Sequence, residues 1–405
     1  MRVAVVAFTQ VARDSRVLRT SRALAEDGHE VHLVGFGERP QNWPGRFHSL
    51  GSPPTRMTHW AWVLIGYAPA VLSPRLTYLT APLRPLHQRC CALLRQIRPD
   101  VIHANDWPVL PVAVMTKKAT GARVVYDSHE FASEEHGERW LWRLLYRPHI
   151  CATEAAGLRE ADRVLTIGPG IARLIARTYS LPCPPQVVAN VPDYRAVPAH
   201  SLGPKLELLY HGLMTGGRGI ETLIKAVARI QRPVRLTLRG DGASRYLNGL
   251  RRLAACSAMP ERIAFEPAVP IDDVIEAAAH ADIGLFTPPM DTPQARFTLP
   301  NKLFEYLMAG LMVIVSDADD VAEVIRRYDC GIVLSDVSPS TLAATIDALK
   351  LDDIRKYKDH ARECARTLCW NKERDKLISL YAEFAETLAT PSTNRSKHQA
   401  SQSDV

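Results

Sequence analysis

The sequence lacks the marks of several common classes of protein. Its eight cysteines in 405 residues are scattered and form no C-x-x-C pair, which argues against structural zinc and is typical of free thiols in a reducing cytosol. The most membrane-like stretch, residues 60–72, is shorter than the roughly 20 apolar residues that span a bilayer. The apolar run at residues 3–8 is too short for a signal peptide. We therefore expect a cytoplasmic protein.

Acidic residues are scarce in the first half of the chain. The net charge is +7, and residues 1–200 carry 24 Lys and Arg against 16 Asp and Glu, whereas the remainder is nearly neutral. Such a basic excess favours an anionic partner: nucleic acid, an anionic lipid surface or a phosphorylated acceptor. No recognised nucleic-acid-binding module is present, so we expect no nucleic acid partner.

Apolar runs alternate with helical patterns along both halves of the chain. Continuous apolar strands joined by helices are typical of parallel sheets. The sequence therefore predicts an α/β fold of two doubly wound, Rossmann-like domains that face a central cleft. The predicted strands lie near residues 3–8, 31–35, 100–103, 122–126, 161–167 and 187–190, and then near 206–210, 234–238, 263–265, 283–286 and 312–316.

A stretch rich in proline and glycine separates the two arrays. We expect an N-terminal, acceptor-side domain over residues 1–195, a linker over 196–205 and a C-terminal domain over 206–352. Residues 353–388 are predicted to form helices that pack back on the N-terminal domain. The polar segment 389–405 is predicted to be a disordered tail.

A glycine-rich turn follows the first strand of the second array. Residues 208–221 read L-L-Y-H-G-L-M-T-G-G-R-G-I-E, in which Gly216, Gly217 and Gly219 allow a ligand to approach the backbone. The next helix presents free N–H groups and a positive dipole end, and Arg218 adds a charged guanidinium. These features favour a phosphate site, and a plain tight turn is the alternative.

A second motif starts a helix further along. Residues 299–310 read L-P-N-K-L-F-E-Y-L-M-A-G, with a proline at the helix start, where it is tolerated. Glu305 lies about one turn into this helix. A carboxylate there can accept two hydrogen bonds from the 2′- and 3′-hydroxyls of a ribose. A solvated helix glutamate is the alternative.

Together these motifs resemble glycosyltransferase family 4, of the GT-B class. The resemblance is close in the second half and looser in the first. It implies a retaining enzyme that moves a hexose-type sugar from a nucleotide diphosphate donor to a glycan or lipid-linked acceptor, in cell-surface polysaccharide or glycolipid synthesis. It implies no metal and no other cofactor. The matching strings are H-G-L-M-T-G-G-R-G, R-G-D-G, A-D-I-G-L-F, L-P-N-K-L-F-E-Y-L-M-A-G and V-I-V-S-D followed by Glu323, and, in the first half, R-D-S-R-V-L-R, D-V-I-H-A-N-D and V-Y-D-S-H-E.

The resemblance also implies roles for single residues. Arg218 takes the basic position on the donor diphosphate, Glu305 contacts the ribose, and His129 lies near the donor sugar and the reacting centre. The other residues expected to bind the donor are Gly212, Gly216, Gly217, Gly219, Gly240, Asp241, Val269, Pro270, Thr298, Leu299, Asn301 and Lys302.

Two positions depart from the family pattern. Phe297 stands where the family often has the first of two glutamates, so the backbone N–H groups of Thr298 and Leu299 are candidates for binding the donor sugar. Leu213 stands where the family has an arginine, which removes one cation from the phosphate site. Lys302 is a candidate replacement for that cation.

The loop after the first strand is expected on the acceptor side of the cleft. Asp14 and Ser15 are suited to cap the following helix, whereas Arg13 and Arg16 are candidates to reach the acceptor or the diphosphate. Asp106 is a further candidate for lining the cleft.

Two aspartates, Asp317 and Asp319, spell the D-x-D of a metal site found in a different glycosyltransferase fold. They lie between a strand and a helix, where a turn and a helix cap account for them. We therefore expect no metal site.

Two stretches of the first half mix aromatic residues with cations. One spans residues 60–98, and the other reads E-R-W-L-W-R-L-L-Y-R at 138–147. The mixture suits an anionic membrane surface, and interior packing with extended arginines is the alternative. We expect peripheral association with the inner face of the cell membrane, centred on Arg139, Trp140, Trp142, Arg143 and Arg147.

Two other functions fit the same motifs. A nucleotide-sugar epimerase of the same fold would turn over its substrate without an acceptor. A non-catalytic partner subunit would account for Phe297 and Leu213, and would bind a donor weakly or not at all.

Overall fold

The apolar runs of the sequence form the central strands of two parallel sheets. The computed structural model describes residues 1–137, 139–198, 200–290 and 293–389, so the predicted tail from Thr390 onwards lies outside the described residues. The N-terminal sheet contains β1 (Arg2–Gln10), β2 (Glu30–Phe36), β3 (Arg46–Ser49), β4 (Val101–Asn105), β5 (Arg123–Ser128), β6 (Arg163–Thr166) and β7 (Gln186–Val187). The C-terminal sheet contains β8 (Leu206–His211), β9 (Val234–Arg239), β10 (Ile263–Glu266), β11 (Ile283–Phe286), β12 (Met312–Ser316) and β13 (Gly331–Leu334).

Both sheets are doubly wound, as the alternating pattern predicts. The strand orders are β3-β2-β1-β4-β5-β6-β7 and β10-β9-β8-β11-β12-β13, and every pairing is parallel. The order reverses between β1 and β4 in the first sheet and between β8 and β11 in the second. In open parallel sheets, ligands bind outside the carboxyl ends of the strands at such a switch point.

Helices cover the faces of both sheets because their apolar stripes need a partner. In the first half they are α1 (Ser15–Glu26), α2 (Arg56–Trp62), α3 (Pro69–Leu72), α4 (Leu76–Thr80), α5 (Pro85–Ile97), α6 (Leu110–Thr120), α7 (Trp140–Leu145), α8 (Arg147–Glu160) and α9 (Pro169–Tyr179). In the second half they are α10 (Ile220–Val227), α11 (Ser244–Ala255), α12 (Val274–Ala278), α13 (Pro293–Phe297), α14 (Asn301–Met308), α15 (Asp319–Tyr328), α16 (Pro339–Ala348), α17 (Leu351–Thr367) and α18 (Trp370–Ala389).

The last helix, α18, contacts the N-terminal sheet and the segment that joins the two sheets. The hydroxyl of Tyr381 lies 2.8 Å from Nδ1 of His103 on β4, and both side chains are fully buried. Near the start of α18, the carboxylate of Glu373 accepts a 2.8 Å hydrogen bond from the N–H of Ala189. The chain therefore crosses back over its own joining segment, which restricts how far the two sheets can separate.

A second contact joins the sheets at the start of α9. The carboxylate of Asp320, on α15, accepts a 2.7 Å hydrogen bond from the N–H of Gly170 and caps that helix from the other half of the molecule. Phe297 packs on the same glycine, where any side chain at position 170 would overlap the phenyl ring. The ring also contacts the apolar cluster around Tyr126 and Ile171.

Candidate functional site

The loops at the carboxyl ends of both sheets meet in a cleft. Arg218, in the turn after β8, lies close enough to Glu130, after β5, for its positive charge to lower the pKa of that glutamate. Burial lowers the pKa of Arg19 on α1, and the negative charge of Glu305 on α14 acts to raise it. Residues from both switch points therefore share one electrostatic environment.

A cavity of about 280 Å³ opens on the C-terminal side of this cleft. Its size and mixed lining suit a small polar ligand such as a nucleoside. Five predicted donor residues, Gly212, Gly240, Asp241, Val269 and Glu305, line it together with His211, Leu213, Arg239, Ala268 and Val274. Pro270 follows Val269 at an exposed position.

A larger cavity of about 550 Å³ lies along one face of the C-terminal sheet, away from the switch point. Two of its cations are paired with carboxylates, Lys205 with Glu207 at 3.2 Å and Arg239 with Glu266 at 2.8 Å. None of the described residues that line it is one predicted to bind the donor, so the smaller cavity is the better candidate site.

Glu305 is held at the wall of the smaller cavity by its neighbours. Its Oε2 lies 3.0 Å from Nε2 of His211, the last residue of β8. The ring of His211 stacks on Tyr306 at 4.6 Å between centroids, which fixes the imidazole. The other carboxylate oxygen of Glu305 is available to the cavity, because this side chain is one-fifth exposed.

Close backbone approach explains two of the glycines. A side chain on Gly240 would overlap the carbonyl of Gly212, and one on Gly219 would overlap the carbonyl of Thr287. Gly217 and Gly219 also adopt left-handed φ values of 78° and 75°, which favour glycine. Gly216 has neither a positive φ nor a protein neighbour within contact of a methyl group, so the space beside it is open and its role in ligand approach stays a prediction.

Lys302 and Arg218 form the cationic part of the cleft. Nζ of Lys302 lies 3.9 Å from the centroid of the Tyr210 ring, and it would be the nearest atom to a methyl group on Gly212. Burial lowers the pKa of Lys302 to about 7, the charge of Arg218 adds to the effect and that of Glu305 opposes it. Leu213, which directly follows Gly212, is 60% exposed, and whether Lys302 replaces the missing arginine stays a prediction.

The segment before α14 joins the cleft to the N-terminal domain. Leu299 is buried against Gly168, and Thr298 is half-buried next to it. Phe297, where the family often has glutamate, turns away from the cavity into the contact with α9. Asn301, the first residue of α14, has an exposed side chain.

His129 lies between two carboxylates on the N-terminal side of the cleft. Its Nδ1 is 3.1 Å from Asp106 and its Nε2 is 3.6 Å from Asp127, and its backbone N–H donates to Asp106 at 3.0 Å. Burial alone would lower the pKa of His129, but the charge of Asp106 and the hydrogen bonds to both carboxylates raise it to about 10. A pKa near 10 keeps the imidazole protonated at neutral pH, and the side chain of Asp106 is about one-third exposed beside it.

Asp106 adopts a left-handed conformation, with φ of 62°. A residue other than glycine rarely adopts this conformation unless its surroundings hold it there. The bonds from Asp106 to both the ring and the backbone of His129 supply that restraint. The loops after β4 and β5 are therefore fixed to each other.

Arg16 corrects one prediction, because it does not reach the cleft. Its guanidinium binds both carboxylate oxygens of Asp127, at 2.9 and 2.6 Å, and the carbonyl of Val188 at 2.7 Å. The side chain is only 2% exposed. Burial would raise the pKa of Asp127, but Arg16, with hydrogen bonds from His103 and His129, holds it well below its usual range.

Of the other residues of this loop, Asp14 and Ser15 belong to the start of α1, whereas Arg13 is exposed. Asp14 caps α1 by accepting a hydrogen bond from the N–H of Val17, and it also accepts one from the hydroxyl of Thr9 at 2.9 Å. Ser15 is the first residue of α1. Arg13 has an exposed side chain and remains available to a ligand.

The sequence did not single out Glu130 and Arg19 as site residues. Burial, with the charges of Glu135 and Asp106, raises the pKa of Glu130 to about 7, although Arg218 opposes the rise. Its position next to His129 was the available signal. The sequence around Arg19 gave no such signal, because only the course of α1 brings this residue towards the cleft.

The D-x-D aspartates are both paired with arginines. Asp317 binds Arg326 at 2.8 Å and Asp319 binds Arg296 at 3.1 Å. Across the ranges that the structure describes, no group of three or more His, Cys, Asp or Glu side chains is placed to hold a metal ion.

Comparison with protein families identifies both halves of the chain. A model described as a glycosyl transferase 4-like domain matches residues 14–192, and a model described as glycosyl transferases group 1 matches residues 205–352. Glycogen synthase of Mycobacterium tuberculosis is 28% identical over 166 residues, which are 36% of this chain and 37% of that protein. The chain therefore aligns with little more than a third of that relative.

Several solved structures share the fold over nearly the whole chain. Sucrose-phosphate synthase of Thermosynechococcus elongatus superposes with a TM-score of 0.73 at 17% identity, over 96% of this chain and 100% of that one. HepE of Anabaena, solved with UDP-glucose, has a TM-score of 0.69 at 16% identity, over 96% and 99%. WaaG, a glycosyltransferase involved in lipopolysaccharide biosynthesis, has 0.64 at 18%, over 93% and 99%.

We predict that the His129 imidazole stays protonated well above neutral pH, with a pKa near 10. In an Asp106→Asn variant the main opposite charge is lost while burial remains, so this pKa should fall by about one to three pH units. Nuclear magnetic resonance of labelled histidine measures both values, and Asp14→Asn serves as a control that leaves them unchanged. An unshifted pKa near 6.5 in the unmodified protein would contradict the assignment.

Proposed function

The chain belongs to the glycosyltransferases of GT-B type, with a glycosyl transferase 4-like domain before a glycosyl transferases group 1 domain, and we propose that it transfers a hexose-type sugar from a nucleotide diphosphate donor to a glycan or lipid-linked acceptor. One observation carries the proposal. The cavity that holds Glu305 lies beside two cations, Arg218 and Lys302, and across the cleft from His129.

The donor fits this arrangement from base to sugar. The base and ribose occupy the 280 Å³ cavity, where Glu305 accepts hydrogen bonds from the ribose hydroxyls. The diphosphate lies between Arg218, the start of α10 and Lys302, which together offer two cations and free N–H groups. The sugar then extends past Thr298 and Leu299 towards His129.

The reaction that we propose breaks the bond between C1 of the sugar and the oxygen of the donor phosphate. A hydroxyl oxygen of the acceptor forms the new bond to C1 on the same face, so the configuration is retained. Its proton passes to the leaving diphosphate, which serves as the base. Arg218 and Lys302 stabilise the charge that gathers on the diphosphate as the bond breaks.

The cation at His129 suits a place near the donor sugar. A charged imidazole cannot accept a proton, and both ring nitrogens of His129 face carboxylates, so we assign it to positioning Asp106 and Asp127 beside the sugar rather than to general base catalysis. Glu130 and Asp106, on the same side of the cleft, can accept hydrogen bonds from acceptor hydroxyls. The solved structures of HepE with UDP and UDP-glucose make UDP-sugars the first donors to test.

The experiment that tests the function screens nucleotide sugars by thermal shift and then assays the best one with lipid-linked and soluble glycan acceptors. Consumption of the donor that requires an acceptor supports the proposal. Turnover without an acceptor would favour an epimerase, and failure to bind any nucleotide sugar would favour a non-catalytic subunit.

We predict that Glu305→Ala and Arg218→Ala each abolish most of the transfer and weaken donor binding by at least about tenfold, because each removes hydrogen bonds that involve a charged group. Melting temperatures should change little, since neither side chain is buried in the core. The matched controls Glu276→Ala and Arg252→Ala remove exposed charges elsewhere in the same domain. Full activity in either site variant would overturn the assignment of that residue.

We predict that affinity for UDP-glucose falls as the pH rises from about 6 to about 8. Lys302, with a pKa of about 7 in the free protein, loses its charge over this range, while Glu130, also near 7, gains a negative one. Both changes disfavour an anionic donor, by up to about tenfold per pH unit for each group. Calorimetry measures the profile, and UDP-glucose suits it because its diphosphate diester keeps its charge.

Two variants separate the contributions of these groups. Lys302→Arg stays charged and should flatten most of the profile, whereas Glu130→Gln should flatten only the remaining part. A profile that Lys302→Arg leaves unaltered would contradict a diphosphate role for Lys302.

A further inference from the structure

The exposed apolar side chains of the protein are concentrated on one part of the N-terminal domain. Of the fifteen large apolar side chains that are markedly exposed among the described residues, eight lie between Met57 and Leu83 and three lie on α7. Met57, Leu64 and Leu72 are 83%, 64% and 86% exposed. A soluble protein rarely gathers so many exposed apolar groups unless they contact something else.

These side chains belong to one layer of helices, which we call the apolar face: residues 56–83 with α7. Met57, Trp60 and Leu64 follow one another at helical spacing along α2 and the turn after it, and Trp140 and Leu144 do so on α7. The two parts touch, since Nε2 of His59 lies 3.2 Å from the hydroxyl of Tyr146 at the end of α7, and α3 also contacts α7.

The structure changes which residues of α7 are available for contact. Trp142 is only 8% exposed and packs with Ala132 and Ile150. Arg147 binds the carboxylate of Glu134 at 3.0 Å and the carbonyl of Ser133. Trp142 and Arg147, on which the sequence partly centred a membrane contact, are therefore occupied within the fold, and the exposed apolar surface lies mainly on residues 56–83.

The charge along residues 39–99, which contain most of the apolar face, has one sign. Between Arg39 and Pro99 the chain contains eight arginines and neither aspartate nor glutamate. Arg56 and Arg75 are exposed at the starts of α2 and α4. Apolar side chains bordered by arginines, with a tryptophan among them, match the interface of a bilayer whose headgroups are anionic.

We propose that the apolar face docks the protein on an anionic lipid bilayer. Leu64, Leu72 and their neighbours enter the boundary between headgroups and acyl chains, while Arg56 and Arg75 contact anionic headgroups. In the described part of the chain no helix is both long enough and apolar enough to cross a membrane.

Docking places the acceptor side of the cleft near the lipid. Tyr67, at the end of the turn after α2, contacts Trp107 at 6.0 Å between ring centroids, and Trp107 directly follows Asp106. The apolar face is therefore connected to the loop that carries Asp106 through the contact between Tyr67 and Trp107. The inference that a lipid-linked acceptor reaches Asp106 from the bilayer rests on the proposed function. The inference that the protein docks on the bilayer does not.

The test is cosedimentation of the full chain with vesicles of phosphatidylcholine, with and without phosphatidylglycerol. We expect binding to the anionic vesicles at low salt and much weaker binding to the neutral ones. Raising the salt should weaken the binding but not abolish it, because screening acts on the arginines alone. Arg56→Gln with Arg75→Gln should lower the affinity by at least about tenfold.

A Leu64→Ser, Leu72→Ser variant should lose most of the binding, whereas Ile271→Ser with Leu351→Ser, which changes exposed apolar residues of the other domain, should keep it. Unchanged UDP-glucose binding by all variants shows that the fold is intact. The proposal fails if the unmodified protein ignores anionic vesicles at low salt, or if the Leu64 and Leu72 variant binds them equally well. It also fails if Leu64 and Leu72 instead hold two copies of the chain together and vesicles do not compete with that contact.

Discussion

A carboxylate buried out of reach of water must be paired with a cation or with hydrogen-bond donors, and three side chains approach Asp127. Arg16 of α1 binds both of its oxygens, while His103 of β4 and His129 of the cleft approach one of them. Leaving such a charge unpaired typically costs about 3–5 kcal/mol. The positions of α1, β4 and the cleft histidine therefore depend on the end of β5.

The same group connects the cleft to the far side of the domain. Arg16 also holds the carbonyl of Val188, and His103 meets Tyr381 of α18. A continuous chain of polar contacts thus runs from Asp106 at the cleft to the helix that crosses between the halves. With Asp320 capping α9 at the other contact, the two sides of the cleft are held opposite each other.

Local patterns were sufficient to predict most of the fold. Strands such as β1 and β12 are buried on both faces, so their residues are mostly apolar. Such continuous apolar runs can be recognised in the sequence. β3 and β13 escaped prediction because each is four residues long and mostly half-buried, which leaves little apolar signal. Elements at the sheet edges are specified by their neighbours more than by their own residues.

Some of the site residues could likewise be predicted from the sequence, and others could not. Gly240, Asp241, Val269 and Glu305 line one cavity because their motifs fix local turns and a helix start. Arg16 was misassigned because its partners are 111 and 172 residues away, and no local pattern reveals a buried ion pair. Phe297 likewise gains its role only from the contact with Gly170 in the other half.

The most direct test of the account is a crystal structure of the protein with UDP. We predict that the ribose hydroxyls lie within hydrogen-bonding distance of Glu305, with the diphosphate between Arg218 and Lys302. The account would be contradicted by a nucleotide bound elsewhere, such as in the larger cavity along the sheet, or by a ribose that does not touch Glu305.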